Sequence, residues 1–139
     1  MYCYILFIII VVGRMVRFKN RYILADYENV AFGEVLTEKA FLRLIKDRAE
    51  EMMGQLFLAK ISFSLQIKYL SLGKVIIRVP RDHASDLLAC LFIIKGLRVM
   101  HVSGVIRGIQ KKLFEVFRKE LGRELSVGEA DLINKIDYS

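Results

Sequence analysis

The sequence predicts an α+β sandwich: one antiparallel four-stranded sheet, two helices laid across it, and a basic helix after the last strand. Three observations lead there. The chain has 139 residues and one proline, a size for one core rather than two. Residues 60–69 alternate strictly between polar and apolar, the period of a strand with one buried and one wet face. Two stretches, 37–53 and 105–121, carry apolar residues three and four apart, the spacing of a helix with one buried side.

Arg21 to Tyr27 (RYILADY) is rich in β-formers and reads as the first strand. Ala31 to Leu36, with Gly33, is a connection. Thr37 is placed to cap a helix that runs to about Met53. Ala40, Phe41, Leu44, Ile45, Ala49, Met52 and Met53 form its apolar stripe, and Gly54 ends it. In the alternating stretch Ile61, Phe63, Leu65, Ile67 and Tyr69 face one way and Lys60, Ser62, Ser64, Gln66 and Lys68 the other. Ser71, Leu72 and Gly73 make a hairpin-sized turn before the strand Lys74 to Val79, which Pro80 closes. Asp82 can cap a second helix that runs to about Lys95 and stops at Gly96. Leu97 to Ser103 is the fourth strand. After Gly104, VIRGIQKKLFEVFRKEL is a third helix, with Ile106, Ile109, Leu113, Val116 and Phe117 on one side. Arg107, Lys111 and Arg118 share another side at spacings of four and seven. The order is that of the split βαβ, ferredoxin-like (RRM-like) βαββαβ plan. Its second sheet face is left for solvent, RNA or the third helix.

Hydropathy and charge are both unevenly spread. The mean hydropathy of +0.38 is high for a basic domain, and roughly two thirds of it resides in the uncharged MYCYILFIIIVVG at the start. Its apolar run stops at Gly13, short of the roughly 20 residues a spanning helix needs. It also lacks the basic flank and cleavage site of a secretory signal. Residues 1–14 are therefore expected to be an upstream extension of the gene model ahead of a start at Met15, with an interfacial anchor or an atypical signal as alternatives. The domain is expected over 15–125, and 126–139 is read as a tail offering at most a marginal helical turn. The net charge is +7. Residues 1–21 contribute +4, residues 22–94 balance to zero, residues 95–119 contribute +6 and the remainder −3. Two basic blocks around a neutral middle form a footprint for an anionic partner.

Catalytic and metal chemistry are poorly represented. Cys3 and Cys90 cannot make a disulfide framework or a four-ligand zinc site. His83 and His101 have no partner at metal-ligand spacing. The serines lie outside any nucleophile elbow, and Gly104 and Gly108 lack the ending of a phosphate loop. Nucleic-acid binding fits better. MVRFKNRY interleaves Arg17, Lys19 and Arg21 with Phe18 and Tyr22, although Tyr22 reads more naturally as core. The glycines of Ser103-Gly104-Val105-Ile106-Arg107-Gly108 sit at a strand-to-helix turn able to receive a phosphate oxygen. Sequence-specific reading through the sheet face is disfavoured, because KVIIRVP carries none of the aromatics an RNA-recognition motif needs there.

MVRFKNRYIL at residues 15–24 and MHVSGVIRGIQKKL at residues 100–113 together resemble the signatures of the Pop-five-type protein subunit of ribonuclease P and ribonuclease MRP. The likeness covers roughly residues 15–121, and Met15 falls where eukaryotic members begin. The resemblance implies a noncatalytic RNA-binding subunit whose partner RNA, carrying Mg2+, removes the 5′ leader of precursor tRNA or serves ribosomal-RNA processing. It implies no cofactor on the protein and no membrane. Its partners would be the ribonuclease P/MRP RNA, a barrel-like subunit and a second ferredoxin-like subunit, with precursor tRNA met indirectly. The location implied is the nucleus, including the nucleolus, or the cytoplasm for an archaeal source. Carried onto this chain, Arg17, Lys19 and Arg21 match the first motif, and His101, Gly104, Arg107, Lys111 and Lys112 the second. Arg118 extends the basic side of the helix. From a different class, a basic ferredoxin-like interaction module held at a membrane by residues 1–13 also suits the composition.

Overall fold

The structure, a computed structural model, describes residues 19–30, 37–121 and 127–136. The apolar segment 1–14, the basic residue Arg17 and the connection at 31–36 lie outside the described residues. Strand β1 (Asn20–Asp26) is followed by helices α1 (Glu38–Met53) and α2 (Gln55–Ile61) and strands β2 (Gln66–Ser71) and β3 (Lys74–Pro80). A 3-10 turn at Arg81–His83 leads into α3 (Ala84–Ile93), β4 (Arg98–Ser103), α4 (Ile106–Leu121) and α5 (Val127–Asn134). The sheet order is β2-β3-β1-β4, with every pair antiparallel. This is the ferredoxin-like order the sequence predicts.

Local chemistry explains several boundaries, but Asp82, expected to cap the second helix, lies inside the 3-10 turn, and α3 starts at Ala84 with no side-chain cap. The Ala40 N–H donates to the Thr37 hydroxyl at 3.1 Å, a side-chain cap on α1. Gly54, at φ +88, ends that helix. Leu72 and Gly73 both have positive φ, the type I′ pattern that matches the twist of a two-residue hairpin.

One face of the sheet, with Ile23, Ala25, Val75, Ile77 and Val79, packs on α1, α2 and α3. The other face, with Tyr22, Leu24, Tyr69 and Ile76, packs on α4 and α5. The five apolar residues predicted for α4 are all buried there. Of the three options for the second face, the third helix takes it. The segment read as a tail supplies α5, whose Ile133 and the following Ile136 are buried in this second core.

The alternating stretch 60–69 is a correction. It is not one strand but the end of α2, a turn at residues 62–64 and the start of β2. QLFLAKI holds good helix formers with Phe57 and Ile61 four apart, and that spacing prevails. Phe63, expected in the core, is 94% exposed in the turn. A bulge between Ile67 and Tyr69 then sends these two residues to opposite cores.

Cys90 lies on the inner side of α3 and is fully buried. Burial pushes its thiol above the ordinary range, and the nearby Asp86 charge adds to this. In a Cys3→Ser variant at neutral pH, an alkylating reagent is expected to react with Cys90 only as fast as the protein opens, since the thiolate is the nucleophile. Labelling at the rate of a free thiol would show that α3 does not pack as described.

Candidate nucleic-acid interface

The strands bring separated basic residues to one end of the sheet. β1 begins where β3 and β4 finish: Asn20 lies opposite Pro80, and Tyr22 opposite Ser103. The Arg81 N–H donates to the Lys19 carbonyl at 2.9 Å, tying the start of β1 to the turn after β3. Arg21 reaches past the end of β4, its guanidinium lying over Gly104. A Cβ on Gly104 would fall 2.3 Å from Arg21 Nη1, so the absence of a side chain there makes room for the cation.

The turn into α4 is held locally. The Val105 N–H donates to Ser103 Oγ at 3.1 Å, and the Ser103 hydroxyl lies 2.9 Å from the Val105 carbonyl. A Cβ on Gly108 would come within 2.9 Å of that hydroxyl oxygen. Both glycines of the motif thus serve the junction that sets the start of α4 beside Arg21. The first N–H groups of a helix have no partner within it, and the macrodipole adds partial positive charge at that end. Anionic ligands are favoured there.

Lys19, Arg21, Gly104 and the first turn of α4 with Arg107 therefore converge. Arg107 and Lys111 are exposed on the side of α4 away from its core. Lys112 is half-buried and lies 3.7 Å from Glu115, which is also 3.6 Å from Lys119, so the two amines share one carboxylate. Arg118 is exposed but stands eleven residues beyond Arg107, roughly 16 Å along the helix. His101 sits opposite Leu24 in β4, half-buried. Among the described residues no group of three His, Cys, Asp or Glu could hold a metal ion.

Two features escape a linear reading. The first is Arg81, exposed and adjacent to Lys19, with no ion pair among the described residues. It is hidden within a stretch whose charges cancel, and only the antiparallel β1–β3 pairing brings it to the basic end. The second is that the +6 block divides. Arg98 is paired with Asp26 at 3.3 Å at the other end of β1, and Lys95 lies there too, beside the Gly96 turn against Asn29. That far end holds a buried ion-pair cluster: Lys74 Nζ is 2.8 Å from Glu120, 3.4 Å from Asp26 and 3.7 Å from Glu28. The polarity of the sheet is thus basic at one end, with the clustered carboxylates spent at the other.

Fold and surface define a small α+β, ferredoxin-like module with one electropositive end and both sheet faces covered. The chain belongs to the Rpp14/Pop5 family, whose profile matches residues 4–114. That span begins inside the apolar run rather than at Met15. The chain is similar to the ribonuclease P/MRP protein subunit POP5 of Schizosaccharomyces pombe, at 29% identity over 127 residues, covering 77% of this chain and 91% of that protein. It is also similar to a protein described as "Probable ribonuclease P/MRP protein subunit POP5" in Dictyostelium discoideum, at 27% identity over 118 residues, covering 77% and 69%. A chain in the cryo-EM structure of yeast ribonuclease MRP shares the fold with a TM-score of 0.50 at 8% identity, covering 77% of this chain and 97% of that one.

Proposed function

We propose that this chain is a noncatalytic, RNA-binding protein subunit of a ribonuclease P/MRP ribonucleoprotein. The particle's RNA, with its bound Mg2+, performs the hydrolysis, and the protein supports it in removing 5′ leaders from precursor tRNA and in ribosomal-RNA processing. Family membership and the names of its relatives support this reading. Other protein subunits of the particle are its further partners, and the nucleus is its location.

The observation that carries the RNA assignment is the convergence of Lys19, Arg21, Arg81 and Arg107 at one end of the sheet, beside the start of α4. Cations held at one end of the sheet can neutralise successive phosphates without reading bases, which suits the lack of aromatics on KVIIRVP. The chain's own contribution is therefore positional: it fixes phosphates against a preformed surface and leaves the bond-breaking to the RNA.

The test is a titration of the particle's RNA over a range of salt with the Arg81→Glu/Arg107→Glu/Lys111→Glu variant. Each lost phosphate contact removes about one unit from the salt slope, so a flattening of roughly two to three is expected, together with a lower cleavage rate on reconstitution. Lys95→Glu, in the same sequence block but at the far end of the sheet, is expected to leave both unchanged. Equal losses from the two variants, or none from the triple one, would overturn the assignment.

A further inference from the structure

We infer that the free edge of β2 is a docking site for an acidic, extended peptide segment of a protein partner. Among the described residues β2 is an outer strand of the sheet, so one row of its backbone groups is unpaired within it. Along this edge lies a cavity of about 370 Å³, set between α1 and the chain just after α5. Its apolar wall is Leu42, Leu65 and Ile67, and its basic rim is Lys39, Lys68 and Lys135; Glu38 is the acid among the lining residues. Lys39 and Lys135 are exposed and make no ion pair among the described residues.

Three features select the occupant. A free strand edge offers main-chain hydrogen bonds to an extended segment, the mode of strand addition. Side chains of such a segment point alternately to either side, so one row can enter the apolar cavity while the other meets the rim. Among the described residues the rim carries Lys39, Lys68 and Lys135 against Glu38, and the exposed Lys39 and Lys135 make it complementary to acidic side chains and repulsive to basic ones. An unpaired nucleotide is the weaker candidate, because the lining offers no aromatic face among the described residues on which a base could stack. The lining residues Gln66 and Ile67 lie opposite Arg78 and Ile77, toward the basic end of the sheet but on its outer strand, two strands from β1. Peptide docking there neither needs nor supports the RNA assignment.

The experiment uses the full chain and a fluorescent seven-residue probe, Glu-Val-Glu-Ile-Glu-Val-Glu, with the Lys-for-Glu version and a uridine heptanucleotide as comparators. The acidic peptide is expected to bind and to slow amide exchange in residues 66–71, and the basic peptide to do neither. Lys39→Glu/Lys135→Glu is expected to weaken acidic-peptide binding at least tenfold. These positions are exposed, and a glutamate in the first turn of α1 suits the helix dipole, so folding should persist; an unchanged far-UV spectrum checks it. An Arg107→Glu/Lys111→Glu variant, changed only on α4, is expected to retain full peptide binding. Binding insensitive to Lys39→Glu/Lys135→Glu, slowed exchange elsewhere than β2, or loss of oligouridylate binding in that double variant in place of peptide binding would each overturn the proposal.

Discussion

Lys74→Met is expected to lower the unfolding free energy by about 2–3 kcal/mol, more than any exposed charge substitution in the chain. The Lys74 side chain is 0% exposed and reaches three carboxylates: Glu120 at the end of α4, Asp26 at the end of β1 and Glu28 just beyond it. Burial alone pulls its pKa down, but the bond to Glu120 and the charges of Asp26, Glu120 and Glu28 outweigh that and hold it above the ordinary 10.5. A raised folded-state pKa stabilises fully below the unfolded value and is lost as pH rises through the folded one. The lysine's contribution is therefore complete at neutral pH, and the wild type should lose it only in strong alkali. Methionine fills similar space yet leaves carboxylates facing one another. The expected cost sits at or just below the lower end of what breaking a buried pair brings, because Glu28 and Glu120 remain partly solvated and Asp26 keeps Arg98. Urea unfolding at neutral pH measures it. Adding Glu120→Gln to Lys74→Met should recover part of the loss, while Arg98→Ala, at a side chain 67% exposed, should cost only a few tenths of a kcal/mol. An unchanged midpoint in Lys74→Met would show that the cluster does not join α4 to β1.

The cluster also shows what a linear sequence reveals and what it conceals. The order of the four strands, the cap at Thr37, the stop at Gly54 and the buried side of α4 all follow from spacings within about ten residues, and these are legible; the second predicted helix stops at Ile93, short of the expected Gly96. Lys74 reads as an unremarkable polar start to a strand, because its partners lie 48 residues before it and 46 after it. Arg81 is concealed in the same way, as its neighbour Lys19 is distant in sequence and adjacent only through antiparallel pairing. The stretch at 60–69 fails for a different reason. A helix end, a turn and a bulged strand happened to produce period two, and competition between two short local patterns is decided by which one buries more surface in the finished fold. Charge blocks are coarse for the same reason: Lys95 and Arg107 belong to one block yet to opposite ends of the sheet.

α4 starts at the basic end of the sheet and brings Glu120 to Lys74 near its other end, and both placements depend on the second core holding the helix across the sheet. α5 closes that core with little sequence signal: eight residues including Gly128, with Ile133 and the following Ile136 as its buried anchors. So short a helix is not stable alone and exists through its docking. Besides Ile133, that docking has a hydrogen bond from Gln110 Nε2 of α4 to the Ile133 carbonyl at 3.0 Å. Ile133→Ala is therefore expected to cost about 2–4 kcal/mol, the range for truncating a buried isoleucine. Leu132→Ala, one residue earlier and 51% exposed, should stay within about 0.5 kcal/mol. The loss can appear as local undocking before global unfolding, so amide exchange across 127–136 is measured alongside urea unfolding. A second readout comes from Tyr69 beneath α5. Its hydroxyl is held above the ordinary 10.0 chiefly by burial, with the charge of Glu129 on α5 adding to the shift. Loosening α5 admits water and moves Glu129 away, so the Tyr69 phenol should titrate closer to 10.0 in Ile133→Ala than in the wild type. Tyrosine absorbance against pH, with Tyr69→Phe to assign the signal, follows that shift. If exchange in 127–136 and the Tyr69 titration both match the wild type, Ile133 does not anchor α5, and the second face of the sheet is closed by α4 alone.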